Sequence, residues 1–133
     1  MPDGYDVHNG WYLDWCVDED TYIYNHHTYD VTLRSSYDTD LPDYLKDSDW
    51  DKVNYIINHK GSADKDSVQN AIWYFIDHGA YSGFPGGDPE ADDLIDEAKA
   101  HGGGYEPQPA QLLAVILDAG ENTLWRSMVC LTR

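Results

Sequence analysis

The hydrophobic pattern of this chain changes its period twice, and that order limits the folds it can adopt. Residues 11–33 mix aromatic and β-branched residues with acidic ones, which is typical of strands. From about residue 49 to residue 102 apolar residues recur at helical spacing, and residues 110–131 return to a strand pattern. This segregation argues against an alternating βαβ chain. We therefore predict one α+β domain over residues 1–133, an antiparallel sheet or small barrel with a helical insert of two to three helices.

The predicted strands lie near both ends of the chain. In the first third they are residues 11–17, 21–24 and 29–33. In the last third, residues 111–117 form a continuous apolar run, which a buried strand explains best. Residues 124–131 are its predicted partner.

Three helices are predicted between these strands, each with a capping residue before it and a glycine near its end. They are residues 50–59 after Asp49, a helix from a cap at Asp66 or Ser67 to Gly79, and a helix from Asp88, with Pro89 in its first turn, to Gly102. The second helix has the clearest apolar stripe, and it carries the Gln69 discussed below.

The charge of the chain is strongly negative, which excludes two classes of partner. Asp and Glu number 25 against 8 Lys and Arg, for a formal net charge of −17. Such a surface repels nucleic acid and anionic lipid headgroups. Since no run of residues is long and apolar enough to cross a bilayer, we also expect no membrane insertion of this domain. The excess of Asp over Glu fits an extracellular or high-salt surface.

Two short motifs, one around Cys16 and one around Gln69, carry a resemblance to a known family. They read Trp15-Cys16-Val17 and Val68-Gln69-Asn70-Ala71-Ile72-Trp73. The chain resembles the thioester domains of bacterial surface adhesins, mainly of Gram-positive organisms. Those domains carry an aromatic or Leu before the Cys and, far downstream, a Gln followed by apolar residues at helical spacing. The resemblance covers roughly residues 11–79 and, more loosely, residues 110–117.

The resemblance implies a function and a set of site residues. Cys16 and Gln69 would be joined by an internal thioester, with Trp15, Trp73 and Tyr74 as walls of the site. The domain would capture a protein or another surface ligand through its primary amine, once per molecule, so it would not be a turnover enzyme. We expect a cofactor-free monomer at the cell surface or cell wall, secreted and anchored through regions outside this chain.

The chemistry of such a pair has a physical basis. A thiolate held against a buried amide carbonyl can expel ammonia, because proximity supplies a large effective molarity and burial removes competing water. We predict that Gln69 lies in the first turn of its helix. Free backbone N–H groups and the helix dipole would there stabilise the thiolate and the oxyanion.

Two alternatives remain open for the cysteine. Cys16 and Cys130 lie in predicted strands at opposite ends of the chain, and an oxidising compartment would favour a disulfide between them. In that case the domain would be a non-covalent module that binds carbohydrate or protein through its Tyr and Trp side chains. Cys16 would then be disulfide-bonded or structural.

The sequence gives only a weak indication of a metal. Asp47, Asp49 and Asp51 alternate as in a calcium loop, but Lys52 stands where such a loop needs glycine. A structural calcium ion is thus the one cofactor considered. The six histidines have no spacing typical of a metal site.

Overall fold

The architecture follows from a computed structural model, which describes residues 14–16, 30–76, 87–120 and 127–132. In chain order its elements are strands β1 (Asp14–Cys16) and β2 (Thr32–Ser35), a 3-10 helix (Asp43–Leu45), helices α1 (Trp50–His59), α2 (Lys65–Ile76) and α3 (Pro89–His101), and strands β3 (Leu112–Asp118) and β4 (Ser127–Thr132). The α+β class with a helical insert is confirmed.

The strands of the described residues form one antiparallel sheet in the order β1-β4-β3-β2. Trp15 lies opposite Met128 in the β1–β4 pair, and Leu33 lies opposite Leu117 in the β2–β3 pair. Strand β3 is therefore internal, with a neighbour on each side. The insert joins two adjacent strands, because β2 precedes the helices and β3 follows them.

Strand β3 is a continuous apolar run because both of its faces are buried. Successive residues of a strand point to opposite faces. Ala114 and Ile116 belong to the main core that the helices share, whereas Leu113 and Val115 form a second cluster with Leu33. A strand covered on both sides reads as unbroken hydrophobic sequence.

Helix α1 has the predicted bounds, and α3 follows the predicted cap. The Asp88 side chain accepts a hydrogen bond from the Ala91 N–H at 3.0 Å. Helix α2 differs, because it begins at Lys65 and not after Asp66 or Ser67. Asp64 is the cap, since its Oδ1 accepts from the Asp66 N–H at 2.8 Å.

Several strand predictions differ in extent from the structure. The predicted strand at 29–33 is found at Thr32–Ser35, and the predicted strand at 111–117 is found at Leu112–Asp118. The 3-10 helix was not predicted. The predicted strand at 21–24 and the helix end at Gly79 lie outside the described residues.

Two asparagines of α1 continue the hydrogen bonding of β3 where β2 ends. The last backbone bond of that pair runs from the Ser36 N–H to the Ala114 oxygen at 3.2 Å. Beyond it, the Ala114 N–H donates to Asn54 Oδ1 at 2.8 Å. Leu112 donates to Asn58 Oδ1 at 2.7 Å and accepts from Asn58 Nδ2 at 2.8 Å. Side-chain amides thus replace β2 as hydrogen-bond partners of the β3 backbone, and at the buried Ala114 the amide satisfies an N–H that would otherwise lack an acceptor.

Candidate functional site

Strand β1 contacts helix α2, so the two chain segments that carry Cys16 and Gln69 are neighbours. Trp15, the residue before Cys16, is 3% exposed and belongs to the same core cluster as Val68 and Ile72 of α2. For Cys16 the structure describes the backbone position, at the end of β1 opposite Ser127. β1 and α2 thus pack together as elements, and the contact is made on the face of β1 that carries Trp15; neighbouring residues of a strand alternate between its two faces.

The position of Gln69 within α2 differs from the prediction. Gln69 is the fifth residue of the helix and lies in its second turn. The first backbone hydrogen bond of the helix is made by the Val68 N–H, which donates to the Asp64 oxygen at 3.0 Å. The free N–H groups of a helix end belong to the residues before that point. The stabilisation predicted from the start of the helix thus does not come from the backbone of Gln69.

One flank of α2 is used to bind α3. The Ser67 hydroxyl donates to Asp88 Oδ1 at 3.0 Å, and Asn70 Nδ2 donates to Asp88 Oδ2 at 2.9 Å. Further along the same flank, Lys99 Nζ lies 4.6 Å from the centre of the Tyr74 ring. These contacts hold α2 and α3 together along most of the length of α2.

The carboxyl of Asp88 is the anchor of that contact. Burial raises the pKa of Asp88, but the hydrogen bonds it accepts outweigh burial and hold the pKa below its ordinary value. Asp88 is therefore ionised at neutral pH. As a charged acceptor it makes stronger hydrogen bonds to α2 than a neutral group would.

Gln69 and Trp73 share the flank of α2 that does not meet α3. Each residue of a helix is rotated by about 100° from the last, so Trp73 is about 40° from Gln69 around the axis and Tyr74 is about 140° away. The structure thus supports Trp73, but not Tyr74, as a neighbour of the glutamine. Tyr74 packs edge-on against Phe75 and beside Lys99.

Both tryptophans predicted as walls are shielded from solvent at their polar ends. The Trp73 side chain is partly buried, and its indole nitrogen is inaccessible to solvent. Trp15 is buried in the core beneath β1.

The sheet register does not bring the two cysteines within disulfide distance. Cys16 lies opposite Ser127, and Cys130 is three residues further along β4. The offset is about 10 Å along the strand, at a rise of about 3.3 Å per residue, and neighbouring strands lie about 4.8 Å apart. Together these put the two Cα atoms about 11 Å apart. A disulfide needs a separation below about 7 Å. The alternative with a Cys16–Cys130 bond therefore disagrees with the register.

The carboxylates considered for calcium have other partners. Asp47 Oδ1 accepts from the Asp49 N–H at 2.8 Å. Lys52 Nζ lies 3.4 Å from Asp49 Oδ1 and 3.2 Å from Asp51 Oδ1, and Asp51 also accepts from the Gly104 N–H. A lysine ammonium thus occupies the space between two of the three carboxylates. Over the described ranges, no three His, Cys, Asp or Glu side chains are grouped to hold a metal.

Two open clefts lie outside this region, and sequence analysis did not identify either. One, of about 490 Å³, is lined by Tyr37, Asp38 and Asp47 among others, and Tyr37 is 38% exposed. The other, of about 410 Å³, contains the buried Asp118, which binds Arg34 Nε at 2.6 Å. Each cleft is lined by short segments that are separated in the sequence, so only the folded chain shows that these segments meet.

Comparisons of the chain with protein-family models, curated proteins and solved structures give no match. Among the helices that the structure describes, none has the length and apolar character needed to span a bilayer.

Proposed function

We propose that this domain forms an internal thioester between Cys16 Sγ and Gln69 Cδ and uses it to capture an amine on a surface partner. The observation that carries the proposal is the contact between β1 and α2. Two motifs far apart in the sequence lie on elements that pack against each other. Gln69 lies on a different side of α2 from Ser67 and Asn70, whose side chains donate to Asp88.

The chemistry consists of two acyl transfers. In the first, the Cys16 sulfur attacks the Gln69 amide carbon, a C–S bond forms, and the C–N bond breaks with release of ammonia. The thiol proton leaves with the ammonia. In the second, the target amine attacks the thioester carbon, an amide bond forms, and the Cys16 thiol is regenerated. Because Gln69 is consumed, the domain acts once and is not an enzyme.

The packing around β1 and α2 favours the first step over hydrolysis. Trp15 is buried beneath the strand, and the partly buried Trp73 lies one helical turn after Gln69. A thioester between the two elements would be sheltered from water. It would open when an amine enters from the surface.

The charge of the chain supports an amine-bearing partner. Lysine side chains are cationic at neutral pH, and a net charge of −17 attracts them to the domain. Reaction follows when the amine loses its proton at the site. This partner would be a protein or other surface molecule outside the cell, bound by a monomer of the domain without a cofactor.

The first experiment is intact-mass measurement of non-reduced protein before and after incubation with methylamine. The proposal expects a mass lower than that of the chain by one ammonia, followed by gain of one methylamine on Gln69 and appearance of a free thiol. Cys16→Ala should abolish both changes, whereas Cys130→Ser should leave them intact. Methylamine uptake by Cys16→Ala would refute the proposal.

A second candidate function, non-covalent carbohydrate binding, is favoured by the cleft at Tyr37. Tyr37 is the exposed large hydrophobic residue of the described chain, and carboxylates stand beside it. Aromatic rings and carboxylates together suit the apolar faces and hydroxyls of sugars. Glycan binding that Tyr37→Ala removes and Cys16→Ala leaves unchanged would favour this alternative.

A further inference from the structure

The indole N–H of Trp73 is a buried donor without an acceptor in the described part of the chain. A buried donor left in this way destabilises the fold relative to one that is hydrogen-bonded. Most buried polar groups in native proteins have partners, and an exception calls for an explanation. Trp50, in contrast, donates its indole N–H to the Leu45 oxygen at 3.0 Å.

The position of Trp73 on the helix indicates what its N–H can reach. Residues four apart on a helix are neighbours, with Cβ atoms about 5–6 Å apart. Long side chains of a helix point back toward its N-terminus. A tryptophan at position 73 therefore extends over position 69. From this spacing we expect its N–H to come within reach of the Gln69 carboxamide.

We infer that Trp73 is the oxyanion donor of the thioester site, with its Nε1–H directed at the oxygen on Gln69 Cδ. This inference rests on the proposed function. It assigns to Trp73 a role in catalysis in addition to its role as a wall of the site.

Such a donor acts on both acyl transfers. When sulfur attacks the Gln69 amide, the carbonyl oxygen becomes an oxyanion, and it becomes one again when an amine attacks the thioester. A donor already in position stabilises the charge as it develops. The backbone N–H of Gln69 is used within the helix, because the backbone hydrogen bonds of α2 begin with the N–H of Val68. The hydrogen bond to the oxyanion therefore has to come from a side-chain donor and not from the backbone at the start of the helix.

The size of the effect follows from other oxyanion sites. Loss of one donor slows acyl transfer about 100- to 1000-fold where the site is fully enclosed. Trp73 is only partly buried. We therefore expect the aminolysis rate to fall about 10- to 100-fold when the N–H is removed, a smaller factor because nearby water screens the oxyanion.

The test compares methylamine aminolysis, followed as release of the Cys16 thiol, in wild type and two variants at position 73. Trp73→Phe removes the N–H together with one ring. Site-specific replacement of Trp73 with β-benzothienylalanine keeps the shape and exchanges the N–H for sulfur, so it preserves packing if the Phe variant fails to fold. Both should slow aminolysis by the stated factor. The thioester carbonyl stretch should move to higher frequency in both, because the hydrogen bond is lost.

The matched control is Trp50→Phe, which removes a buried indole N–H whose acceptor is known. It should lower stability without changing the aminolysis rate of the folded protein. Unchanged rates in the benzothienyl variant, with the thioester formed as in wild type, would overturn the role of Trp73 and leave the proposed function standing. A wild-type protein with its full, unmodified mass and no methylamine uptake would overturn both.

Discussion

Replacing Asn54 with alanine tests whether side-chain amides of α1 complete the hydrogen bonding of β3. The Asn54 side chain is fully buried. It donates to Ser36 Oγ and to the Trp50 oxygen, each at 2.9 Å, and accepts from the Ala114 N–H at 2.8 Å. No other acceptor for that N–H is present among the described residues, because β2 ends at Ser35 and its last bond to β3 is the one from the Ser36 N–H to the Ala114 oxygen.

The expected cost combines three contributions. The Ala114 N–H loses its acceptor inside the core, which costs about 1–3 kcal/mol. The space left by the carboxamide adds about 1 kcal/mol. Alanine is the better helix former by about 0.7 kcal/mol or less, which offsets part of the loss. The free energy of unfolding should therefore fall by about 1–3 kcal/mol.

Urea denaturation followed by circular dichroism measures this difference. Ionic strength should be held fixed, since the chain carries a net charge of −17. Asn58→Ala is the matched control, because Asn58 makes the same kind of contact to Leu112 but is only partly buried. Water can replace its amide there, so the control should lose about 1 kcal/mol. If Asn54→Ala costs no more than Asn58→Ala, the reasoning is refuted.

Three further predictions concern acid stability, helix packing and the second cysteine. Burial raises the pKa of Asp118, but its hydrogen bonds with Arg34 and other groups outweigh burial and hold the pKa below the ordinary value of 3.8. The stability it contributes is thus present above that value and lost as the pH falls through the folded-state pKa. In acid titrations followed by urea unfolding, Asp118→Asn should be less stable at pH 7 and lose less stability on acidification; a slope equal to that of wild type would contradict this. Gly102→Ala puts a Cβ 2.6 Å from the Ala98 oxygen, so urea unfolding should show a loss of about 1–3 kcal/mol, and an unchanged midpoint would show that the helix end adapts. Reductant should change the mass of neither wild type nor Cys130→Ser, because the register excludes the Cys16–Cys130 disulfide; a mass that depends on reductant in wild type but not in Cys130→Ser would show that the bond forms.

The helices were predictable to the extent that their caps are distinct in the sequence. The apolar stripe after Asp49 predicted the bounds of α1, although the Asp49 side chain makes no capping hydrogen bond, and Asp88 with Pro89 marked the start of α3. The start of α2 was wrong because three acidic or hydroxyl residues, Asp64, Asp66 and Ser67, precede its stripe. Each satisfies the capping preference, and only the folded chain shows that Asp64 makes the bond.

The two motifs of the candidate site lie on elements that pack together, and the site itself stays a prediction. The motifs identified Cys16 and Gln69, and their elements do pack together. Tyr74 and Trp73 are adjacent in the sequence, and only the contact of Tyr74 with α3 separates their roles. The buried N–H of Trp73 could not be predicted either, because the lack of an acceptor is a property of the packed structure.

The bond between Ser36 and Ala114 has a consequence for how this protein folds. About 80 residues, including all three helices, lie between its two ends. The closure entropy of so long a loop must be lost before the β2–β3 contacts form, so proteins of this kind fold slowly. The helices can form early from local contacts, whereas pairing of β2 with β3 should come late, with φ-values near zero for Leu33 and Leu117. The same logarithmic dependence makes the insert tolerant of changes in length, because doubling a loop costs only about 0.6 kcal/mol.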